Sequence, residues 1–339
     1  MSAGQNNTEQ QKTIVVETEK LTKEYRRFEK EPGLLGSVKS LFNRKFVTKT
    51  AVDSLDLKIS QGEFTALIGP NGAGKTTLVK MLTGIIAPSS GRISVLGYYP
   101  NKLENAFKRQ YAVVMGQKSQ LFFELTPLDT FALFRELYNI PPDVYKRNVD
   151  YFVDIFGVSG LLNVQVRTLS LGERMKMELI TALLHSPQIL FLDEPTIGLD
   201  AAAQRQIRTF LREVNREQGT TIILTSHYME DVRSLCGRSI VISGGRKIYD
   251  GDTERLFASY QIHKKITLLF ETECTFAAPP GAVVIEQSPW KAVFMVPKEQ
   301  SGELLQSIIA LYPLRDITVE EDDLGGVVER IYTAGGEAR

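Results

Sequence analysis

The fold is decided by one stretch of the sequence, Gly69-Pro70-Asn71-Gly72-Ala73-Gly74-Lys75-Thr76-Thr77. The stretch fits the pattern G-x-x-x-x-G-K-[ST] in full, between a strand-like run at residues 64–69 and a helical run at 76–84. Glycines are required because the chain must curl with its N–H groups pointing inward around phosphate oxygens, at dihedral angles that side chains resist. The helix that follows adds the positive end of its dipole. The pattern predicts a nucleotide-binding loop in which Lys75 reaches the β- and γ-phosphates and the Thr76 hydroxyl binds Mg²⁺.

A second candidate site follows the buried strand-like run ILFLD, where Asp193 and Glu194 stand together. In open α/β sheets ligands bind at this carboxyl end of the strands. We expect Asp193 to hold Mg²⁺ through water. Glu194 is expected to point to the opposite face and to polarise an attacking water as general base. Adjacent acids at a strand end are often only a solvated terminus, but the phosphate loop upstream favours the catalytic interpretation.

Strand-like and helical runs alternate through most of the chain, which predicts an α/β fold of the P-loop NTPase type. Its fully apolar strands suit a sheet covered on both faces. The predicted nucleotide-binding domain is 13–260, with a helical insertion at about 119–187, after a disordered tail at 1–12. Residues 264–339 read as three strands, a helix, a strand and a helix, which predicts a small α+β accessory domain.

Composition narrows the class of protein. Lys and Arg number 40, as do Asp and Glu, and this balance argues against a protein that holds nucleic acid by bulk charge. The only cysteines, Cys236 and Cys274, have no metal-ligand spacing and suggest a reducing compartment. The N-terminus lacks the apolar run of a secretory signal, and no stretch of about 18 apolar residues occurs. We expect a soluble chain that would need a separate membrane-spanning polypeptide for any role in a membrane.

Four further segments make the assignment specific. Leu169-Ser170-Leu171-Gly172-Glu173 precedes the acidic strand, Gln117 follows the run QYAVVMG, Gly198-Leu199-Asp200 follows the acidic strand, and His227 closes TTIILTS. Over roughly residues 14–260 their order resembles that of the ATP-binding cassette (ABC) ATPases, with its signature, Q-loop, D-loop and switch histidine. The phrases around them look most like export ATPases of the daunorubicin-resistance and sodium-export group.

The resemblance implies a head-to-tail homodimer, in which each ATP lies between the phosphate loop of one copy and the signature of the other. Ser170 and the N–H groups around Gly172 would then bind the γ-phosphate, and Asp200 would face the same nucleotide. Gln117 would coordinate Mg²⁺ or the attacking water, and His227 would contact the γ-phosphate as a catalytic residue beside Glu194.

Three positions qualify this assignment: Tyr25, Leu171 and Glu173. Tyr25 resembles the aromatic residue that stacks on adenine, although Phe28 is near enough in sequence to do so instead. In the signature, Leu171 and Glu173 replace the family's glycine and glutamine. Glu173 would lower ATP affinity unless its carboxylate points away from the nucleotide. Because the other motif residues remain, we expect two equivalent hydrolytic sites.

The resemblance further implies a transporter ATPase, of the exporter kind, bound peripherally to separate transmembrane permease subunits at the cytoplasmic face of the inner membrane. The inserted segment 26–49 is basic and has apolar residues at helical spacing, so it could lie near lipid or the permease, or pack on its own domain. The C-terminal domain could regulate turnover or reinforce the dimer. A soluble ABC ATPase acting on ribosomes or DNA is disfavoured by a single cassette and no heptad run. A scaffold without activity is disfavoured by the presence of Glu194 and His227. His185 and His263 match no motif and are expected to be structural.

Overall fold

A computed structural model describes residues 13–29, 45–116, 118–226, 228–260 and 263–321. The chain divides into two compact units, Met1–Gly251 and Asp252–Arg339. The sequence predicts that the first domain ends at residue 260. In the structure the helix at residues 253–260 falls within the second unit. The predicted tail at 1–12, most of the segment 26–49 and the last predicted helix lie outside the described residues, as do Gln117 and His227.

The first unit contains two sheets. Its strands are β1 Ile14–Glu29, β2 Lys45–Ser60, β3 Phe64–Ile68, β4 Ser90–Val95, β5 Tyr111–Met115, β6 Ile189–Asp193, β7 Thr221–Thr225, β8 Arg238–Ser243 and β9 Arg246–Asp252. The larger sheet has the order β5-β6-β7-β3-β8-β9, and the neighbours from β5 to β8 run parallel. The smaller sheet, β2-β1-β4, is antiparallel. Every residue of β3 and β7 is buried, which explains their continuously apolar or β-branched sequences.

Seven helices are described in the first unit. They are α1 Lys75–Leu82, α2 Asn105–Lys108, α3 Pro127–Tyr138, α4 Pro142–Phe156, α5 Leu171–Leu183, α6 Ala201–Gln218 and α7 Met229–Leu235, with short 3₁₀ turns at Pro100–Lys102, Ser159–Leu161 and Val166–Thr168. Three of them, α3 to α5, lie in sequence between β5 and β6. Their ends carry the expected signals, such as the capping box of Thr126 and Asp129 at the start of α3 and the left-handed Gly157 after α4.

One hydrophobic core joins the two sheets of the first unit through α1. This helix buries Leu78, Val79, Met81 and Leu82 among side chains from both sheets, including Leu21, Leu55, Phe191 and Ile240. Because parallel strands end at the same edge, the residues that follow β3, β5, β6 and β7 meet there. The rigid core therefore holds the candidate site in place.

The second unit is a small α+β domain. It consists of α8 Thr253–Tyr260, β10 His263–Phe270, β11 Val283–Ser288, β12 Lys291–Pro297, a 3₁₀ turn at Lys298–Gln300, α9 Ser301–Leu311 and β13 Leu314–Glu321. Its antiparallel sheet has the order β11-β12-β10-β13. Ile266, Leu268, Phe294 and Ile308 are central to its core. Among the described helices of both units, none has the length and apolar character needed to cross a membrane.

Candidate active site

The loop between β3 and α1 has the backbone geometry of a phosphate cradle. Gly72 and Gly74 have φ angles of 79° and 109°, in the left-handed region that side chains disfavour. A Cβ on Gly69 would lie 2.1 Å from the carbonyl oxygen of Ile242, and one on Gly74 would lie 2.2 Å from that of Ala51. Gly72 is thus required by its dihedral angle, Gly69 by close backbone approach, and Gly74 by both.

Lys75 lies inside this loop and is 6% exposed. Its Nζ donates hydrogen bonds to the carbonyl oxygens of Gly69, at 2.5 Å, and Pro70, at 3.2 Å. Burial lowers the pKa of Lys75, while the nearby carboxylates of Glu194 and Asp193 act against that shift. The loop therefore encloses a partly desolvated cation, which attracts phosphate strongly because little water screens it.

Asp193, at the end of β6, is oriented by two hydroxyl groups. Thr76 Oγ1 donates to its Oδ2 at 3.2 Å, and Thr225 Oγ1, from β7, donates to its Oδ1 at 2.5 Å. A hydroxyl and one carboxylate are oxygen ligands of the kind Mg²⁺ prefers, because this ion usually completes its shell with water and phosphate oxygens. The described residues contain no cluster of three or more His, Cys, Asp or Glu side chains that could hold a metal ion.

Glu194 does not continue the alternation of β6, and here the sequence-based expectation was wrong. The strand ends at Asp193, Glu194 has a φ of 55°, and its N–H donates to the Thr225 carbonyl at 3.0 Å. Both acidic residues consequently line the same cleft instead of opposite faces. A non-glycine residue in this left-handed conformation costs of order 1–3 kcal/mol and is typical of functional sites.

Two adjoining clefts meet at Thr76 and Glu194. The first, of 220 Å³, is also lined by Lys80, Gly116, Lys118 and Asp193. The second, of 290 Å³, follows the phosphate loop from Asn71 to Thr77 and reaches Lys49 and Tyr25. The two clefts together present a cation (Lys75), two carboxylates (Asp193 and Glu194) and a hydroxyl group (Thr76). These are the groups that binding and hydrolysis of a phosphoanhydride require.

Tyr25 lies on β1 opposite Lys49 and is 41% exposed. The Lys23 ammonium is 5.4 Å from the centre of its ring. Tyr25 therefore presents an open aromatic surface beside the phosphate loop, at a place suited to a nucleotide base. The side chain of Phe28, the sequence alternative, lies outside the described residues.

The signature residue Ser170 is the N-cap of α5. Its Oγ accepts from the Glu173 N–H at 3.3 Å, while the Glu173 carboxylate accepts from the Ser170 N–H and hydroxyl, each at 2.8 Å. These hydrogen bonds hold the pKa of Glu173 below its usual range, with the backbone N–H of Ser170 as the largest cause. Glu173 is thus turned back onto the cap and stays ionised.

The signature packs against the segment that follows the acidic strand. A Cβ on Gly172 would meet the Cβ of Ala203 at 3.0 Å, and one on Gly198 would meet Leu171 at 3.3 Å. Asp200 caps α6, accepting from the Ala203 N–H at 2.8 Å. The predicted nucleotide residues Ser170, Gly172 and Asp200 therefore form one neighbourhood at the N-termini of α5 and α6.

Gln117 and His227 remain predictions, although the residues beside them are anchored. Gly116 N–H donates to the Asp193 carbonyl at 2.9 Å. After β7, Ser226 Oγ accepts from the Tyr228 N–H at 3.0 Å and donates to the fully buried Asp231 at 3.4 Å. Asp231 also pairs with Arg208 at 2.8 Å. Both predicted residues thus follow parallel strands that end at the cleft.

Sequence reasoning missed four residues of the site: Lys80, Gly116, Lys118 and Thr225. Lys80 stands four residues after Thr76 on α1, so helical spacing could have placed both on one face. Gly116 and Lys118 flank the predicted Gln117, and Thr225 lies two residues before His227. No local pattern singles out Thr225, because its partner Asp193 belongs to a different strand.

The fold and this site define an α/β P-loop nucleotide-binding protein, and comparison with known proteins specifies the family. A family model described as ABC transporter matches residues 52–197. The ABC transporter ATP-binding protein NatA of Bacillus subtilis is 36% identical over 217 residues, 64% of this chain and 87% of that protein. The daunorubicin resistance ATP-binding protein DrrA3 of Streptomyces coeruleorubidus is 33% identical over 87% of each. The structure of cbiO1 from Clostridium perfringens, part of the transporter complex cbiONQ, aligns with a TM-score of 0.59 and 27% identity over 73% of this chain and 91% of that one.

The chain belongs to the ABC transporter family. It is an ATP-binding, ATP-hydrolysing subunit of that family, as the sequence predicted. The predicted fold class, a P-loop NTPase of the ABC ATPase type, is confirmed as well.

Proposed function

We propose that this chain is the motor of an exporter, in which a head-to-tail homodimer closes on ATP, opens after hydrolysis and drives separate transmembrane subunits. The observation that carries the proposal is the first cleft, where Thr76, Asp193 and Glu194 stand beside the phosphate loop. Export is supported by the names of two relatives: DrrA3, which matches 87% of this chain, and a Nod factor export ATP-binding protein of Neorhizobium galegae, which matches 60% of it.

The cleft residues divide the work of hydrolysis. Lys75 and the loop N–H groups bind the β- and γ-phosphates, and Tyr25 stacks on the base. Thr76, Asp193 and Gln117 would hold Mg²⁺, which would neutralise charge on the phosphate oxygens. Glu194 accepts a proton from the attacking water, and His227 contacts the γ-phosphate and orients that water.

The second copy completes each site. Ser170 and the N–H groups near Gly172 lie at the N-terminus of α5, where unpaired donors and the helix dipole favour an anion. In the head-to-tail dimer this end of α5 meets the γ-phosphate held by the partner copy, with Asp200 beside it. ATP is then a bridge between the copies, so binding closes the dimer and hydrolysis weakens it.

The dimer acts at a membrane through permease subunits. We place it peripherally at the cytoplasmic face of the inner membrane, with cargo contacts made by the permease and not by this chain. The second unit, which DrrA3 shares by coverage, either regulates turnover or reinforces the dimer. The segment 26–49 contacts the permease or lipid, or packs on its own domain.

The test is purification of the tagged wild-type chain and a Glu194→Gln variant from detergent-solubilised membranes of the host. Both are expected to bring down a stoichiometric polytopic protein and to bind ATP. The variant should hydrolyse ATP about 10²–10⁴-fold more slowly, the usual loss for a general base. Recovery of the chain alone, or with ribosomes or DNA, would contradict the transport function. Equally negligible turnover in both proteins would contradict the motor function.

A further inference from the structure

Glu178 is a buried carboxylate that no motif of the sequence explains. It lies on α5, eight residues after Ser170, so about 12 Å of helix separates it from the signature end. The residue is 4% exposed. Burial raises the pKa of Glu178, while hydrogen bonds from neighbouring residues and the charge of Arg174 favour the ionised form. Burying a carboxylate costs free energy unless other groups hydrogen-bond to it, so Glu178 depends on its partners.

All hydrogen bonds described for Glu178 come from one short loop. The Ser119 hydroxyl donates to Oε1 in a short contact, and the Gln120 N–H donates to both oxygens, at 2.8 and 3.1 Å. The Leu121 N–H completes the set at 3.4 Å. One side chain of the signature helix thus satisfies three consecutive residues of the loop that follows β5.

This loop borders the cleft that holds the hydrolytic residues. Lys118, immediately before Ser119, forms an isolated antiparallel β-bridge with Met115. Lys118 also lines the first cleft with Thr76 and Glu194. On its other side the loop is tied to the sheet, because Gln120 Nε2 donates to the Val113 carbonyl at 2.7 Å. Hydrogen bonds through Glu178 and Gln120 thus connect α5 to the loop and the loop to β5, beside the cleft.

We propose that Glu178 is a positioning residue that links the signature helix to the cleft of its own chain by fixing the loop Lys118–Leu121. When Ser170 engages the nucleotide of the partner copy, the resulting constraint on α5 orders the loop beside Thr76, Asp193 and Glu194. The inference rests on the proposed function, since it needs a second copy to present ATP to Ser170. It assigns Glu178 no contact with substrate.

Three variants test the link. Glu178→Gln keeps the size of the side chain but removes its charge and one acceptor oxygen, and Ser119→Ala removes the hydroxyl partner from the loop. Thr181→Val is the matched control, because Thr181 is a buried polar residue of the same helix whose hydroxyl donates only to the Met177 carbonyl at 2.7 Å. Each full-length variant is purified with the complex that the wild type forms.

The first readout separates turnover from binding. Glu178→Gln and Ser119→Ala are expected to lower kcat about 3–10-fold, the size of the net contribution of one hydrogen bond, with Kd for ATP within twofold of wild type. The double variant should be no slower than Glu178→Gln, because both changes break the same link. Thr181→Val should keep the wild-type kcat. A kcat within twofold of wild type in Glu178→Gln, or additive losses in the double variant, would overturn the proposal. Should Glu178→Gln not fold, the kcat of Ser119→Ala decides in the same way.

The second readout is hydrogen exchange of the isolated full-length chain, which requires no ATPase activity. The Gln120 and Leu121 amides should exchange about tenfold faster in Glu178→Gln, while core strands keep their protection. Uniformly faster exchange would mean that Glu178 only stabilises the fold. The readouts also distinguish the two proposals: a wild type without ATP turnover defeats the proposed function, whereas an active wild type with unchanged variants defeats the link alone.

Discussion

Glu173 is the signature residue that places a negative charge where the family resemblance predicts a neutral glutamine. Its carboxylate accepts from both the N–H and the hydroxyl of Ser170, so it is ionised and fixed at the end of α5 that would face the partner's ATP. From the sequence, Glu173 is expected to lower ATP affinity unless its carboxylate points away from the nucleotide. The carboxylate is hydrogen-bonded to the N-cap Ser170, but its negative charge remains at the N-terminus of α5.

Glu173→Gln should therefore lower the KM for ATP about twofold to fivefold, because one negative charge near the γ-phosphate is removed. Glutamine also serves as the third residue of a capping box, so the free energy of unfolding should change by less than about 0.5 kcal/mol. Asp129→Asn is the control, since Asp129 makes the same box with Thr126 at the start of a different helix, α3, which carries no signature residue. Steady-state ATPase assays give the KM values. An unchanged KM in Glu173→Gln would argue against a signature that faces ATP across the dimer.

At the level of elements, the ends of β5 and β6 form the tightest part of the site. Gly116 follows β5, and an added Cβ would lie 2.2 Å from the Glu194 carbonyl oxygen and 3.1 Å from Ile197 Cγ2. The first contact is too short for the present backbone, and the second would require the Ile197 side chain to shift slightly. The strand ends would have to separate, and this would move Glu194 away from Thr76.

Gly116→Ala is accordingly expected to cost about 1–3 kcal/mol of unfolding free energy, as overpacking does. ATPase activity should fall by about 10²-fold, since a displacement of roughly 1 Å is enough for that loss. Gly237→Ala is the matched control, because nothing lies within 4 Å of its added Cβ, and it should stay within about 0.5 kcal/mol of wild type. Urea denaturation and ATPase assays measure both. Wild-type activity in Gly116→Ala would show that the strand ends tolerate separation.

The elements differ in how far the sequence predicted them. The bounds of strands β3, β5, β6 and β7 were predicted within a residue or two, because a short uninterrupted apolar run is typical of a strand buried on both faces of a sheet. The strands β4 and β9 were not identified, since they carry many exposed residues, and β4 also depends on a pairing partner, β1, that is distant in sequence. The same limit applies to the site. The glycines and Lys75 follow from a local pattern, whereas the left-handed Glu194 and the Thr225 contact arise only when separate strands meet.

At the level of the whole molecule, contacts between the helical insertion and the parallel sheet contribute to the stability of the first unit. His185, after α5, stacks on Tyr138 of α3 with 4.0 Å between ring centres, and its Nε2 lies 3.2 Å from the Tyr111 carbonyl oxygen of β5. Its Nδ1 is buried without a hydrogen-bond partner. Burial lowers the pKa of His185 to about 4, although the contact with Tyr111 acts the other way. The histidine expected to be structural is thus a neutral ring that joins three elements.

This lowered pKa makes the first unit less stable in mild acid. Between the unfolded value of 6.5 and the folded value of about 4, the unfolded chain binds a proton that the folded chain does not. The contribution of His185 to the free energy of unfolding is therefore fully present above pH 6.5 and decreases as the pH falls. By pH 4 the free energy of unfolding has decreased by at most about 3 kcal/mol because of this group. His185→Phe keeps the stacking but cannot titrate, so its unfolding free energy should fall less than that of wild type between pH 7 and 5. Urea denaturation followed by far-UV circular dichroism measures the difference, because the first unit contains no tryptophan and the single tryptophan, Trp290, lies in the second. Parallel curves for the two proteins would mean that the folded chain protonates His185 as readily as the unfolded chain does, and that the ring is not held neutral by its burial.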